Sequence, residues 1–130
     1  MAAFDTNVLV RVLVGDDPTQ TRKAERAFSS HAAAEGVYVS LVVLAEVSWV
    51  LHATYAWDRT TIHAQLSRLV RTGGVVVEEL ELVQAALEAY ASGKAGLADY
   101  LILGKARTGP GGALVTFDKN LAREDDVTIL

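Results

Sequence analysis

Short apolar runs alternate with longer amphipathic stretches along the chain of 130 residues. The short runs are rich in valine and isoleucine, whose branching at Cβ favours extended backbone. Because these runs are apolar throughout, they indicate parallel strands that are covered on both faces. Five strands are predicted, at Ala2–Phe4, Val37–Val39, Val75–Val77, Ala113–Val115 and Val127–Ile129.

The longer stretches predict six helices. Pro18 suits the first turn of one helix, and Ser40 is a favourable N-cap for the next. The predicted helices are one directly after Asp5, then 18–35, 41–51, 59–71, one around 83–90, and one between Gly96 and Gly109. Alternating strands and helices imply parallel pairing through right-handed crossovers. We therefore expect an α/β fold, a three-layer α/β/α sandwich, in a single domain over residues 1–130.

Composition narrows the range of functions. The net charge is −4, so bulk charge does not point to nucleic acid, and local cations would have to attract any phosphate. No apolar run is long enough for a membrane span, and the first residues do not resemble a signal peptide. The chain has no cysteine, which excludes disulfides and fits a cytoplasmic location. No glycine-rich phosphate or dinucleotide loop is present, so no such cofactor is expected.

Two aspartates directly follow predicted strands. Asp5 follows the first strand, and Asp118 follows the fourth. Ligands of open parallel sheets bind beyond the carboxyl ends of the strands, which makes both residues candidates for a functional site. A simpler alternative is that each side chain only caps the next helix.

Asp99 and Glu46 lie within predicted helices. Asp99 stands in a first turn, where the helix dipole alone favours an acid. Glu46 interrupts an almost wholly apolar helix, which predicts that the helix is buried with a carboxylate inside it. A buried ionised carboxylate requires a partner, and either an arginine or a bound cation would serve.

The four acids together indicate a metal site, if they converge. Two carboxylates about 4 Å apart repel by about 4 kcal/mol at an effective dielectric near 20. A divalent cation removes that repulsion, and hard oxygen ligands select Mg²⁺ or Mn²⁺.

Four segments, in order, resemble the motifs of PIN domains, and the resemblance spans nearly the whole chain. The segments are Asp5-Thr6-Asn7-Val8-Leu9-Val10-Arg11, Ala45-Glu46-Val47, Leu97-Ala98-Asp99-Tyr100-Leu101-Ile102 and Thr116-Phe117-Asp118-Lys119-Asn120. The length and the opening motif look most like the VapC toxins of prokaryotic toxin–antitoxin pairs. Two positions depart from the family pattern, because Gly96 and Asn120 stand where many members carry further acids.

The resemblance implies a five-stranded parallel sheet in the order 3-2-1-4-5, with Asp5 and Asp118 on either side of the switch point. It also implies a metal-dependent endoribonuclease, the toxin of a type II toxin–antitoxin pair, which forms a homodimer and binds a VapB-like antitoxin. Asp5, Glu46, Asp99 and Asp118 would be the catalytic residues and the metal ligands.

On this hypothesis, a bound metal ion activates water for attack on an RNA phosphodiester. Thr6, Asn7 and Thr116 would orient carboxylates or waters around the ligands. Arg11 and Lys119 are candidate phosphate contacts, although a solvated surface position is the simpler interpretation of each. Tyr55 and Trp57 could stack bases, but packing in the core or at an interface is the simpler interpretation.

Three other functions are compatible with parts of the pattern. A Mg²⁺-binding phospho-receiver module would need an aspartate after the third strand, where this chain has Glu78. A phosphatase of the haloacid dehalogenase type would need a second aspartate two residues after Asp5, where Asn7 stands. A PIN-like domain that binds RNA or a partner without cleavage is the third alternative, because retained acids do not guarantee turnover.

Overall fold

The computed structural model describes residues 1–130 as an α/β fold of six helices and five short strands. The helices are α1 (Thr6–Val14), α2 (Pro18–Ala33), α3 (Leu41–Ala53), α4 (Arg59–Val70), α5 (Leu80–Ser92) and α6 (Leu97–Thr108). The strands are β1 (Ala2–Ala3), β2 (Val37–Val39), β3 (Val75–Val77), β4 (Leu114–Thr116) and β5 (Val127–Ile129). A 3₁₀ turn at Lys119–Leu121 follows β4. The predicted elements are therefore present, with ends shifted by at most three residues.

All strand pairs are parallel, but the strands form two sheets. One sheet has the order β1-β2-β3, and the other consists of β4 and β5. The prediction of one sheet in the order 3-2-1-4-5 is therefore wrong at the β1–β4 junction. The N–H groups of Ala2 and Phe4 both bond toward β2, to Gly36 and Tyr38. Successive N–H groups point to opposite edges of a strand. Only the N–H of Ala3 therefore faces the edge of β1 away from β2, which is too little for a second ladder of hydrogen bonds.

The N-termini of α1, α2, α3 and α4 are each capped by the side chain of the preceding residue. Asp17 caps α2 and Asp58 caps α4, each accepting from a backbone N–H three residues further on. Ser40 caps α3 in the same way, through Val43 N–H. A second acceptor for α3 comes from the end of β3, where Glu78 Oε1 binds the Leu41 N–H at 2.8 Å. These bonds satisfy donors that a helix cannot satisfy internally.

One glycine is fixed by close packing. Gly74 precedes β3 with a φ of +84°, and a Cβ there would collide with the backbone of Ala32 at the end of α2. Its carbonyl also accepts the Val37 N–H at the start of β2. Any other residue at position 74 would strain both contacts.

Helix α3 lies at the centre of the helix packing, in contact with α1, α4 and α6. Its inner face carries Leu44, Val47 and Leu51, all fully buried. Its outer face carries Val42, Glu46 and Trp49, all exposed. The prediction that this helix is buried all round is therefore wrong, since the elements that pack on it leave one stripe in solvent. No helix in the structure has both the length and the apolar character needed to cross a membrane.

Substitution of Leu44 with alanine tests this placement of α3. Leu44 is fully buried, so Leu44→Ala should lower the free energy of unfolding by about 2–5 kcal/mol. The matched control is Val42→Ala on the same helix, where the side chain is 75% exposed and the change should stay within about 0.5 kcal/mol. Urea denaturation of both variants provides the measurement, and equal losses would contradict the orientation of α3.

Candidate acidic site

Asp5 connects β1 to α1 and caps the helix. Its Oδ1 accepts the backbone N–H of Thr6 at 2.8 Å, from an extended backbone conformation. The side chain is exposed, and Oδ2 has no partner within the protein. The capping role that the sequence left open is therefore present, and it engages only one of the two carboxylate oxygens.

Glu46 is held by the helix that Asp5 begins. The hydroxyl of Thr6, on α1, donates to Glu46 Oε1, on α3, at 2.6 Å. Thr6 is only 5% exposed, so the donor is fixed by its surroundings, whereas Glu46 is exposed. The predicted cost of desolvating Glu46 therefore does not arise. Instead, a buried hydroxyl orients an exposed carboxylate.

No cation of the protein neutralises the four candidate acids. The ion pairs of the structure join other residues, among them Arg11 with Asp16 and Lys105 with Glu79. The arginine partner considered for Glu46 is therefore absent. The four carboxylates stay available to a cation from solution.

Asp99 and Asp118 are half-buried, and each binds a nearby backbone N–H. Asp99 Oδ2 accepts from Gly96 at 3.0 Å across the first turn of α6. Asp118 Oδ1 accepts from Asn120 at 2.8 Å and begins the 3₁₀ turn after β4. As at Asp5, capping engages one oxygen of each carboxylate and leaves the other without a protein partner.

The structure links some of these acids but does not close them into a cluster. Asp5 and Glu46 are joined through Thr6, and α6, which carries Asp99, packs against α3. No three of the acidic or histidine side chains lie close enough together to hold one metal ion as they stand. The donors are of the type that Mg²⁺ and Mn²⁺ prefer, with free oxygens and no competing cation. The donor chemistry therefore fits a hard divalent cation, and the side chains would have to close around it.

The residues predicted to orient the ligands differ in their contacts. Thr6 contacts Glu46, as described above. Thr116 Oγ1 accepts the backbone N–H of Asp118 at 3.0 Å and so fixes the turn that carries this acid. Asn7 is exposed and makes no side-chain hydrogen bond. Of the three, Thr6 and Thr116 have contacts suited to an orienting role.

The two predicted phosphate contacts have different surroundings. The Arg11 guanidinium binds Gln20 at 2.7 Å, Tyr55 at 3.1 Å and Asp16 at 3.4 Å. Phosphate binding by Arg11 would have to compete with this network. Lys119 is exposed and outside all ion pairs, so its ammonium group is free to meet a phosphate.

A cavity of about 300 Å³ adjoins Asp99. It lies between α3, the start of α4, the end of α5 and the start of α6, and includes Trp49, His52, Arg59, Tyr90, Lys94 and Asp99 in its wall. Burial raises the pKa of the Tyr90 phenol, against an opposing effect from the nearby Arg59. The phenol is therefore neutral at ordinary pH.

No motif in the sequence indicates this cavity. Trp49 lies three residues after Glu46, a spacing that places both on one helical face, yet its apolar character indicated burial. Trp49 is in fact 65% exposed. Lys94 and Arg59 form no motif along the chain, and only the packing of α4 to α6 brings them near Asp99.

Comparison with known proteins gives one match. The sequence model of the PIN domain family matches residues 2–127, which is nearly the whole chain. The match includes all four candidate acids. Searches of curated proteins and of solved structures returned no match.

Proposed function

Because the chain belongs to the PIN domain family, whose members are generally nucleases, we propose that it is a metal-dependent endoribonuclease. The proposal rests on the free carboxylate oxygens of Asp5, Glu46, Asp99 and Asp118. Each retains an oxygen without a protein partner, and none is neutralised by a basic side chain. Carboxylates with free oxygens and no basic partner are suited to bind a divalent cation.

Asp5, Glu46, Asp99 and Asp118 would hold Mg²⁺ or Mn²⁺, directly or through water. A bound ion of this kind lowers the pKa of water and stabilises negative charge on phosphate oxygens. The chain's own contribution is to orient the acids. The Thr6 hydroxyl directs Glu46, and backbone N–H groups direct the three aspartates. Lys119 is the free cation next to Asp118 that could bind substrate phosphate.

The phospho-receiver alternative is disfavoured by Glu78. This acid follows β3, where a receiver carries its phosphoacceptor, but its Oε1 is engaged by the Leu41 N–H. A PIN-like domain that binds RNA without cleavage is the second candidate function. It is favoured by the capping bonds of Asp5, Asp99 and Asp118, which explain these residues without a metal.

The same proposal has further parts. The chain would be a single domain over residues 1–130, a VapC toxin that forms a homodimer in the cytoplasm and binds a VapB-like antitoxin. Exposed apolar side chains, among them Val115 and Phe117 at 60% and 77%, support a surface for a protein partner. A short reading frame directly upstream of the gene would support an antitoxin partner.

Light scattering over a concentration series tests the homodimer, and a monomer at all concentrations would contradict it.

Asp5→Asn is the principal test of the nuclease. Mutation of a residue that only hydrogen-bonds to a metal ligand lowers metal affinity or activity by about 10–100-fold. Removal of the charge of a ligand itself should therefore lower the rate of cleavage by about a hundredfold or more. Asparagine also caps helices, so the fold should be retained. The measurement is cleavage of mixed RNAs with Mg²⁺, Mn²⁺ or EDTA.

The matched control for that test is Asp17→Asn. Asp17 caps α2 through the Gln20 N–H at 2.9 Å and is not one of the four acids. The Asp17→Asn variant should therefore cleave RNA as the wild type does. Undiminished cleavage by Asp5→Asn, or cleavage that EDTA does not stop, would reject the assignment. Metal-independent RNA binding without cleavage would favour the second candidate.

Thr6→Val tests whether the hydroxyl positions Glu46. The substitution retains the shape of the side chain but removes the donor at 2.6 Å, so we expect kcat to fall by about 10–100-fold with a smaller change in KM. Thr6→Ser restores the hydroxyl and should restore kcat. If Thr6→Val and Thr6→Ser have the same kcat, or if their activities follow only their stability in urea, Thr6 is not a positioning residue.

A further inference from the structure

The cavity beside Asp99 joins an exposed aromatic ring to free positive charge. We propose that it is a nucleotide subsite, which holds the base and phosphate of a single-stranded RNA residue next to the scissile bond. The inference rests on the proposed ribonuclease function. At about 300 Å³, the cavity is at the lower end of the range for small-ligand sites.

Trp49 supplies the stacking surface. Its side chain is 65% exposed, which is a large apolar area to leave in water at the mouth of a cavity. Exposed aromatic rings stack on nucleic-acid bases with little dependence on sequence. The other tryptophan, Trp57, is half-buried and packs against the core, so it does not offer an equivalent surface.

Lys94 supplies the phosphate contact. It lines the cavity, is exposed, and takes part in none of the ion pairs of the structure. Its ammonium group is therefore not neutralised by the protein. In a chain of net charge −4, an unpaired cation beside an exposed tryptophan matches the two parts of a nucleotide.

Arg59 makes the inner wall rigid and adds positive charge. Its Nη1 donates to the carbonyl oxygens of Tyr90 at 3.0 Å and Ala95 at 2.7 Å. Its guanidinium carbon lies 4.4 Å from the centre of the Tyr90 ring. None of these contacts removes its charge, because the partners are neutral. The cavity therefore carries two cations, Arg59 and Lys94, against the single carboxylate of Asp99.

The position of the cavity connects it to the acids. Asp99 belongs both to the cavity wall and to the proposed metal ligands. Trp49 lies one helical turn after Glu46 on the exposed face of α3. A nucleotide bound here would therefore place an adjacent phosphodiester near Asp99 and Glu46. The subsite would align the strand before cleavage.

Tryptophan fluorescence tests the subsite without catalysis. Trp57→Phe leaves Trp49 as the only tryptophan, and titration with a single-stranded RNA octanucleotide in EDTA should quench its emission. The matched control, Trp49→Phe, leaves only Trp57, whose emission should not change. Quenching of Trp57 alone, or of neither, would overturn the proposal.

Affinity measurements separate the two parts of the subsite. By anisotropy of a labelled octanucleotide in EDTA, Trp49→Ala should bind about tenfold more weakly, and Trp49→Phe should retain affinity. Lys94→Ala should lower the slope of log affinity against log salt by about 0.7, the loss of one phosphate contact. Lys23→Ala, an exposed lysine on α2, is the control and should leave the slope unchanged.

The outcomes distinguish this proposal from the nuclease itself. Normal cleavage by wild-type protein, with no effect of Trp49→Ala and Lys94→Ala on binding, would reject the subsite and keep the ribonuclease. Binding that depends on both residues, without cleavage in any metal, would support the subsite and reject the ribonuclease. Loss of self-association in Trp49→Ala at unchanged RNA affinity would assign the surface to a protein contact and overturn the proposal.

Discussion

The hydrogen bond from Thr6 to Glu46 is the contact on which the arrangement of the acidic site depends. It joins α1 to α3 through a buried donor and an exposed acceptor, 40 positions apart in the chain. Asp5 begins the helix that carries Thr6, so the same bond fixes Asp5 relative to Glu46. Helix α6 packs on α3 and thereby places Asp99 on the same framework. Without this bond, Glu46 would be a freely rotating side chain on an exposed helical face.

The elements of the fold could be predicted from the sequence because their signals are local. Runs such as Val37–Val39 and Val75–Val77 coincide with strands in the structure. Ser40 and Pro18 mark helix starts through their own chemistry, since one accepts a backbone N–H and the other lacks one. The family could also be predicted, because its motifs are short and occur in order. The family match over residues 2–127 confirms that resemblance.

The remaining features depend on contacts that the sequence does not record. The family pattern implied that β1 pairs with β4, but the two strands do not pair, because β1 has so few residues. The burial of Glu46 was predicted from apolar neighbours, but burial is decided by which helices cover α3. The roles of the four acids as metal ligands stay predictions. The capping bonds of the aspartates were foreseen as an alternative, and they occur together with free carboxylate oxygens.

Glu78 shows how the middle of the chain is coupled. It follows β3, yet it accepts the Leu41 N–H at the start of α3, after β2. The Leu41 N–H, one of the first-turn donors of α3, therefore has its protein partner only when β3 is docked beside β2. In the native protein, the same coupling should make amide hydrogen exchange at Leu41 report on the opening of β3 as well as on fraying of α3. A local opening at the edge of the sheet would thus free one first-turn N–H of the helix that presents Glu46 and Trp49.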